Sequence, residues 1–266
     1  MIKPLPAFKP IHRYLVCIDS DGCAIDSMEI KHRACFGPCI VAHWGLDSVK
    51  DEFLERWNVI NLYSPTRGIN RFKGLAIIAE EFGLPGWQDL KNWTQRADAL
   101  SNDVLKLETG DALKNVLEWS YRVNQAIEAL PLPQPFAGVK EALEMLRGQA
   151  DIAVVSSANP VAIKTEWDEG GIIGYASVML SQNDGTKGEC IANLMQKGYD
   201  RADVLMIGDA PGDQLAAEQN GVCFYPIVPG GEIESWRLLK EHAWDDFKTG
   251  NLSASRANVF RQRLGL

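Results

Sequence analysis

The run Tyr14–Ile18, YLVCI, is almost unbroken in its apolarity and stops at two acids one residue apart, Asp19 and Asp21. Continuous apolarity in a short run rich in β-formers predicts a strand buried on both faces of a parallel sheet. From about residue 24 to 132 the period becomes helical. Phe53, Leu54, Trp57 and Ile60 mark one helix, with Asp47 or Ser48 as its expected cap. Leu75, Ile78 and Phe82 mark a second over 71–82, stopped by Gly83 and Pro85, and Trp87 to Leu100 reads as a third. Asp111 opens a strong amphipathic helix through Leu113, Val116, Leu117, Tyr121, Ile127 and Leu130, closed by PLPQP.

Beyond that turn, strands and helices alternate to residue 227. Strands are expected at 151–156, near 176–180, at 204–207 and at 222–227, with helices starting near Val139, Pro160, Gly188 and Asp213 between them. This is the βαβ grammar of an α/β fold, a three-layer doubly wound parallel sheet. The first strand belongs to the same sheet as strands more than a hundred residues later, so the intervening helices form an insertion, since a structureless loop of that length is implausible in a compact fold. The expected organisation is a core domain from 1–22 and 133–266, carrying an extension at 228–266, and an α-helical cap at 23–132. Within the extension, Ile233, Trp236, Leu239, Ala243 and Phe247 share one side of a helix that either packs on the core or forms an interface.

The 266 residues carry a net charge of -8, which offers no basic field for nucleic acid or an anionic membrane. The start, MIKPLPAFKPIHR, has no apolar core for a signal peptide, and no run approaches a membrane span, so cytoplasmic residence is the expectation. Six cysteines without a CxxC pair read as reduced core thiols. His32, Cys35, Cys39 and His43 have the spacing of one helical face and so of a zinc site, but Gly37 and Pro38 interrupt that helix, and the plain reading is a packed cap face.

Alone, Asp19 and Asp21 read equally as an acidic turn with Gly22 supplying backbone freedom. Their meaning changes with the other strand ends. Ser156 and Ser157 end the second strand, Gly208 and Asp209 end the fourth with Asp213 one helical turn on, and Lys187 opens a helix in GTKGE. In a doubly wound sheet these converge on the crevice beyond the carboxyl ends of the strands. Four carboxylates repel unless a hard cation joins them, and Mg²⁺ suits an all-oxygen donor set. With a serine and a lysine beside it, such a site is a receptacle for a phosphoryl group.

In this order the motifs resemble those of the haloacid dehalogenase superfamily: DxDG at Asp19 to Gly22, a strand-end serine at Ser156, a lysine at Lys187, and GDxxxD at Gly208 to Asp213. The resemblance implies a Mg²⁺-dependent phosphatase for a small phosphorylated metabolite. Asp19 would be the nucleophile and Asp21 the general acid/base, with Ser156 and Lys187 on the transferring oxygens. Asp19, the Asp21 carbonyl, Asp209 and Asp213 would hold the metal. Asp26 would order the exit into the cap. Ser157, Arg67 and Arg71 are candidate substrate contacts; TRGINR otherwise reads as a turn with two exposed arginines. The G-x-N-R segment and His32 are similar to features of β-phosphoglucomutases, so a phosphomutase is the alternative, weakened by the absence of a lysine in Ser157-Ala158-Asn159. A non-catalytic module that binds a phosphate ligand is the remaining one. Monomer and homodimer are both open.

Overall fold

The computed structural model describes residues 2, 4–253 and 255–266. The chain divides into two compact units, Met1–Met28 with Leu132–Leu266, and Glu29–Pro131. The first unit is built on five parallel strands, β1 (Tyr14–Ile18), β2 (Ala150–Val155), β3 (Val178–Leu180), β4 (Val204–Gly208) and β5 (Cys223–Pro226), in the spatial order β3-β2-β1-β4-β5. The fold is therefore a doubly wound α/β sheet. Its order reverses between β1 and β4, which puts the end of β1 at the switch point where such folds bind ligands.

Alternation along each strand explains the unbroken apolar runs. Val16 and Ile18 of β1, Ile152 and Val154 of β2, and Leu205 and Ile207 of β4 enter one core cluster. Leu15 and Cys17, Ala153 and Val155, and Val204 and Met206 enter another, as the two-residue period of a strand requires. The first cluster is covered by Val139, Ala142, Leu143 and Leu146 of helix Val139–Arg147 and by Ile163 and Trp167 of helix Pro160–Glu169. The second is covered by Cys190, Ile191 and Leu194 of helix Lys187–Met195 and by Ala216 and Ala217 of helix Pro211–Asn220. A sheet covered on both faces has no room for an alternating polar side.

The boundary expected at 22/23 falls short of the division at Met28/Glu29, because Cys23, Ala24 and Ile25 bury completely in the sheet's core. Asp26 is exposed, and its amide donates to the Gln134 carbonyl at 2.9 Å.

The extension is one continuous helical run, Glu232–Leu238, Leu239–Ala243 and Trp244–Lys248, whose middle turn is π-helical. Trp236, Leu239, Ala243 and Phe247 pack on the core as their spacing predicts. Ile233 does not: it stands in the first turn of the run and is 59% exposed, while Trp244, directly after the widened turn, joins the buried side. A last helix, Ser255–Leu264, which the periodicity did not reveal, buries Phe260 and Leu264 against Val228 and Phe224.

The second unit is all helical. Lys50–Leu62, Arg71–Phe82, Trp87–Arg96 and Asp111–Glu128 enclose Phe53, Trp57, Phe72, Leu75, Trp93 and Trp119. The Phe72 ring meets those of Trp93 and Trp119 edge-on. Three local expectations change. Neither Asp47 nor Ser48 caps the first of these helices; Val49 stands at its N-cap without a side-chain bond, after a short 3₁₀ turn. The third ends at Arg96, because Ala97 is extended. The buried stripe of the fourth runs through Leu113, Val116, Trp119, Ser120 and Val123, while Tyr121 lies outside it and is 38% exposed.

The entry to this unit is π-helical over Lys31–Phe36, closed by the Gly37 amide on the His32 carbonyl. Pro38 follows directly and has no N–H for the ladder. His32, Cys35, Cys39 and His43 are not a candidate metal group among the described residues. His32 stacks on Phe36, and His43 pairs with Asn115 at 2.9 Å.

Candidate active site

The ends of β1 and β4 supply three buried carboxylates. Ile18 is in register with Ile207, and the Asp19 amide donates to the Ile207 carbonyl at 3.0 Å, so Asp19 stands level with Gly208 and one residue short of Asp209. Asp213 comes from the first turn of helix Pro211–Asn220, and its Oδ2 accepts from the Ala210 amide at 3.0 Å. Among the described residues, Asp19, Asp209 and Asp213 form the one group of three or more metal-ligating side chains, with ligand atoms all within 4.8 Å of one another.

Lys187 closes the cluster. It is the first residue of its helix, whose start is fixed by a capping box: Thr186 Oγ1 accepts from the Glu189 amide, and Glu189 Oε2 accepts from the Thr186 amide. The ammonium is 2.7 Å from Asp19 Oδ2 and 2.5 Å from Asp213 Oδ1, with only 14% of the side chain exposed. It is a buried bridge, not a solvated helix-start lysine. Burial pulls its pKa down, but the pairs with Asp19 and Asp213 more than reverse this and hold it above the usual lysine range. Burial pushes the Asp19 carboxyl up to about 8; Lys187 opposes this shift, and Asp213 and Asp209 add to it.

The turn from Ser20 to Ser27 carries Asp21. The Ser20 carbonyl accepts from the amides of Cys23, Ala24 and Ile25, and Gly22, at φ 75°, takes the left-handed conformation that the turn needs. Asp21 is half-buried and outside the carboxylate cluster; the expectation for it as a metal ligand concerned its backbone carbonyl. Its Oδ1 accepts from Ser27 Oγ at 2.5 Å.

Register places Ser156, directly after β2, one residue beyond the level of Asp19. It is buried, and its Oγ accepts from the Ala158 amide at 3.2 Å. Ser157 is exposed. In the helical unit the expected pair of arginines separates in character. Arg67 is only 4% exposed and donates from Nη1 to the Leu62 carbonyl at 2.8 Å, so the reading of it as an exposed arginine is set aside. Arg71 lies over the Phe36 ring and donates to Asn124 Oδ1 at 2.6 Å.

Three residues of the neighbourhood escaped the sequence reading. Ser27 donates to Asp21, Trp167 Nε1 donates to Ser20 Oγ at 3.0 Å, and Trp236 Nε1 donates to the Cys23 carbonyl at 2.9 Å. The signal for the tryptophans was their place on buried helix faces, where an indole N–H must find an acceptor. Ser20, whose choice between the two acids had no account from sequence, is the acceptor for Trp167.

A doubly wound sheet with a carboxylate cluster at its switch point defines an α/β enzyme-like fold. The family model for haloacid dehalogenase-like hydrolases matches residues 78–227, more than half of the chain, and the chain belongs to that family. No curated protein matches it by sequence. Among solved structures, a haloacid dehalogenase-like hydrolase from Bacteroides fragilis superposes with a TM-score of 0.55 at 16% identity, covering 84% of this chain and 92% of its own. A protein described as a phosphoglycolate phosphatase from Lactobacillus delbrueckii subsp. bulgaricus gives 0.53 at 16% identity over 96% and 100%. One described as a β-phosphoglucomutase from Thermotoga maritima gives 0.50 at 17% identity over 80% and 84%. At such identities the likeness is one of fold. Among the described residues, no helix is long and apolar enough to cross a membrane.

Proposed function

We propose that this chain is a Mg²⁺-dependent phosphatase that hydrolyses a small phosphorylated metabolite through an aspartyl-phosphate on Asp19. The observation that carries the reading is Lys187 bridging Asp19 and Asp213 inside a buried cluster of three carboxylates. One ammonium leaves that cluster short of positive charge, and its donors are all carboxylate oxygens, which fits Mg²⁺. Asp19, Asp209, Asp213 and the Asp21 carbonyl would hold the ion, which when bound offsets phosphoryl charge.

The chain's own residues supply the rest. An Asp19 carboxylate oxygen attacks phosphorus and the ester P–O bond breaks, with Asp21 giving its proton to the leaving oxygen. Asp21 then takes a proton from water as that water attacks phosphorus, and cleavage of the acyl phosphate restores Asp19 and releases phosphate. Lys187 fixes Asp19 and, with Ser156, faces the phosphoryl oxygens, where a buried ammonium is worth more than in water. Ser157, Arg67 and Arg71 are proposed to bear on the substrate, and the helical unit is proposed to be the cap that selects it.

The test is Asp19→Asn on p-nitrophenyl phosphate with Mg²⁺. Turnover is lost while the circular-dichroism spectrum and the melting transition persist. Retained turnover in that variant overturns the mechanism. On phosphorylated sugars, release of inorganic phosphate at the full rate of substrate loss separates hydrolysis from a mutase.

A further inference from the structure

Residues 228–266 lie beyond the segment that the family model matches, yet one side chain from them reaches the residue that directly follows the first motif. Trp236 is fully buried and gives its indole N–H to the Cys23 carbonyl at 2.9 Å. Trp167, on a different helix, gives its own to Ser20 Oγ at 3.0 Å. Ser20 and Cys23 flank Asp21 and Gly22, so buried indole donors hold the turn on either side of this pair.

The helix bearing Trp236 is itself fixed. The neighbouring Ser235 accepts from the Val228 amide at 3.0 Å through Oγ and from the Tyr225 hydroxyl at 2.6 Å through its carbonyl, and its Oγ also accepts from the Arg256 guanidinium. Gly138, at φ 94°, packs against Trp236: a Cβ there would stand in ordinary contact, 3.4 Å from the Trp236 Cβ. The end of β5, the last helix and the start of helix Val139–Arg147 therefore set where this indole points.

We propose that Trp236 is a positioning residue for the active site: through Cys23 it keeps the Asp21 turn in its place relative to Asp19, which makes the C-terminal extension a working part of the catalytic apparatus. The proposal rests on the phosphatase reading for its kinetic consequence but not for its structural one. Displacing a catalytic group by a fraction of an ångström lowers the rate far more than it weakens substrate binding.

The experiment compares Trp236→Phe with Trp244→Phe. Trp244 belongs to the same helical run and the same core cluster, is equally buried, and donates its indole N–H to Gln149 Oε1 at 2.9 Å, away from the motif. Both variants lose the same atoms and one indole hydrogen bond, so both are expected to melt lower by similar amounts. Only Trp236→Phe is expected to lower kcat on p-nitrophenyl phosphate, by about tenfold with KM within about twofold. Only Trp236→Phe is expected to speed hydrogen exchange at the Gly22, Cys23, Ala24 and Ile25 amides, by about tenfold or more. Equal exchange in the two variants overturns the proposal whether or not the protein hydrolyses phosphate esters. Equal kcat values with unequal exchange overturn the catalytic role. A wild-type protein without phosphatase activity sinks the phosphatase reading alone, and the exchange comparison still decides whether Trp236 holds the turn.

Discussion

Ser27 Oγ donates to Asp21 Oδ1 at 2.5 Å from a position with no solvent exposure. A hydrogen bond to a charged group contributes about 1.5–3 kcal/mol, and this one orients the carboxylate assigned to proton transfer. Ser27→Ala is expected to lower kcat by about ten- to a hundredfold, the range that such an energy commands when expressed in the transition state. KM should change little. Steady-state kinetics on p-nitrophenyl phosphate check this, and an unchanged kcat would show that Asp21 needs no such support.

Gly208 is required by the closeness of Asp213. A Cβ added at Gly208 would stand 2.3 Å from both Cγ and Oδ2 of Asp213, and that carboxylate is pinned by Lys187 and the Ala210 amide. It cannot swing aside without breaking one of these bonds. Gly208→Ala is therefore expected to cost about 1–3 kcal/mol of stability, as overpacking does in a dense core. It should also weaken Mg²⁺ binding, read as a smaller Mg²⁺-induced rise in melting temperature than in the wild type. A variant that gains as much from Mg²⁺ as the wild type would remove Asp213 from the metal site.

Most of the sheet was legible in the sequence because burial on both faces leaves continuous apolar runs, and those of β1 and β4 end at acids that the structure brings together. YLVCI and the acids after it carried both signals at once. Where legibility failed, the cause was a contact of long sequence separation. Ser20 makes sense only beside Trp167, whose indole needs its hydroxyl, and the Trp236 indole finds its acceptor in the backbone carbonyl of Cys23; neither pairing leaves a local pattern. The π-helical turns failed for a related reason: a fixed helical period cannot express an extra residue in one turn, and Trp244, directly after such a turn, is buried although it lies outside the expected stripe. The surroundings of Arg71 were equally illegible, because its partners Asn124 and Ser120 lie some fifty positions away.

The raised pKa of Asp19 gives the metal-free protein a stability that depends on pH with a definite sign. Burial is the main cause, and it favours the protonated form of this carboxyl up to about 8, against an ordinary value near 3.8. Between those limits the folded state holds a proton that the unfolded chain has released. By linkage, the contribution of this group to stability then falls as pH rises through the window. Mg²⁺ needs the carboxylate, so at low pH its binding must displace that proton, and at high pH it need not. The rise in melting temperature on adding saturating Mg²⁺ is accordingly expected to grow from about pH 5 to about pH 9, while the melting temperature in chelator falls over the same range relative to Asp19→Asn. Differential scanning fluorimetry of both proteins, with and without Mg²⁺ across that range, measures both effects. A Mg²⁺ gain independent of pH would mean that Asp19 is already ionised in the metal-free site, with the Lys187 pair outweighing burial.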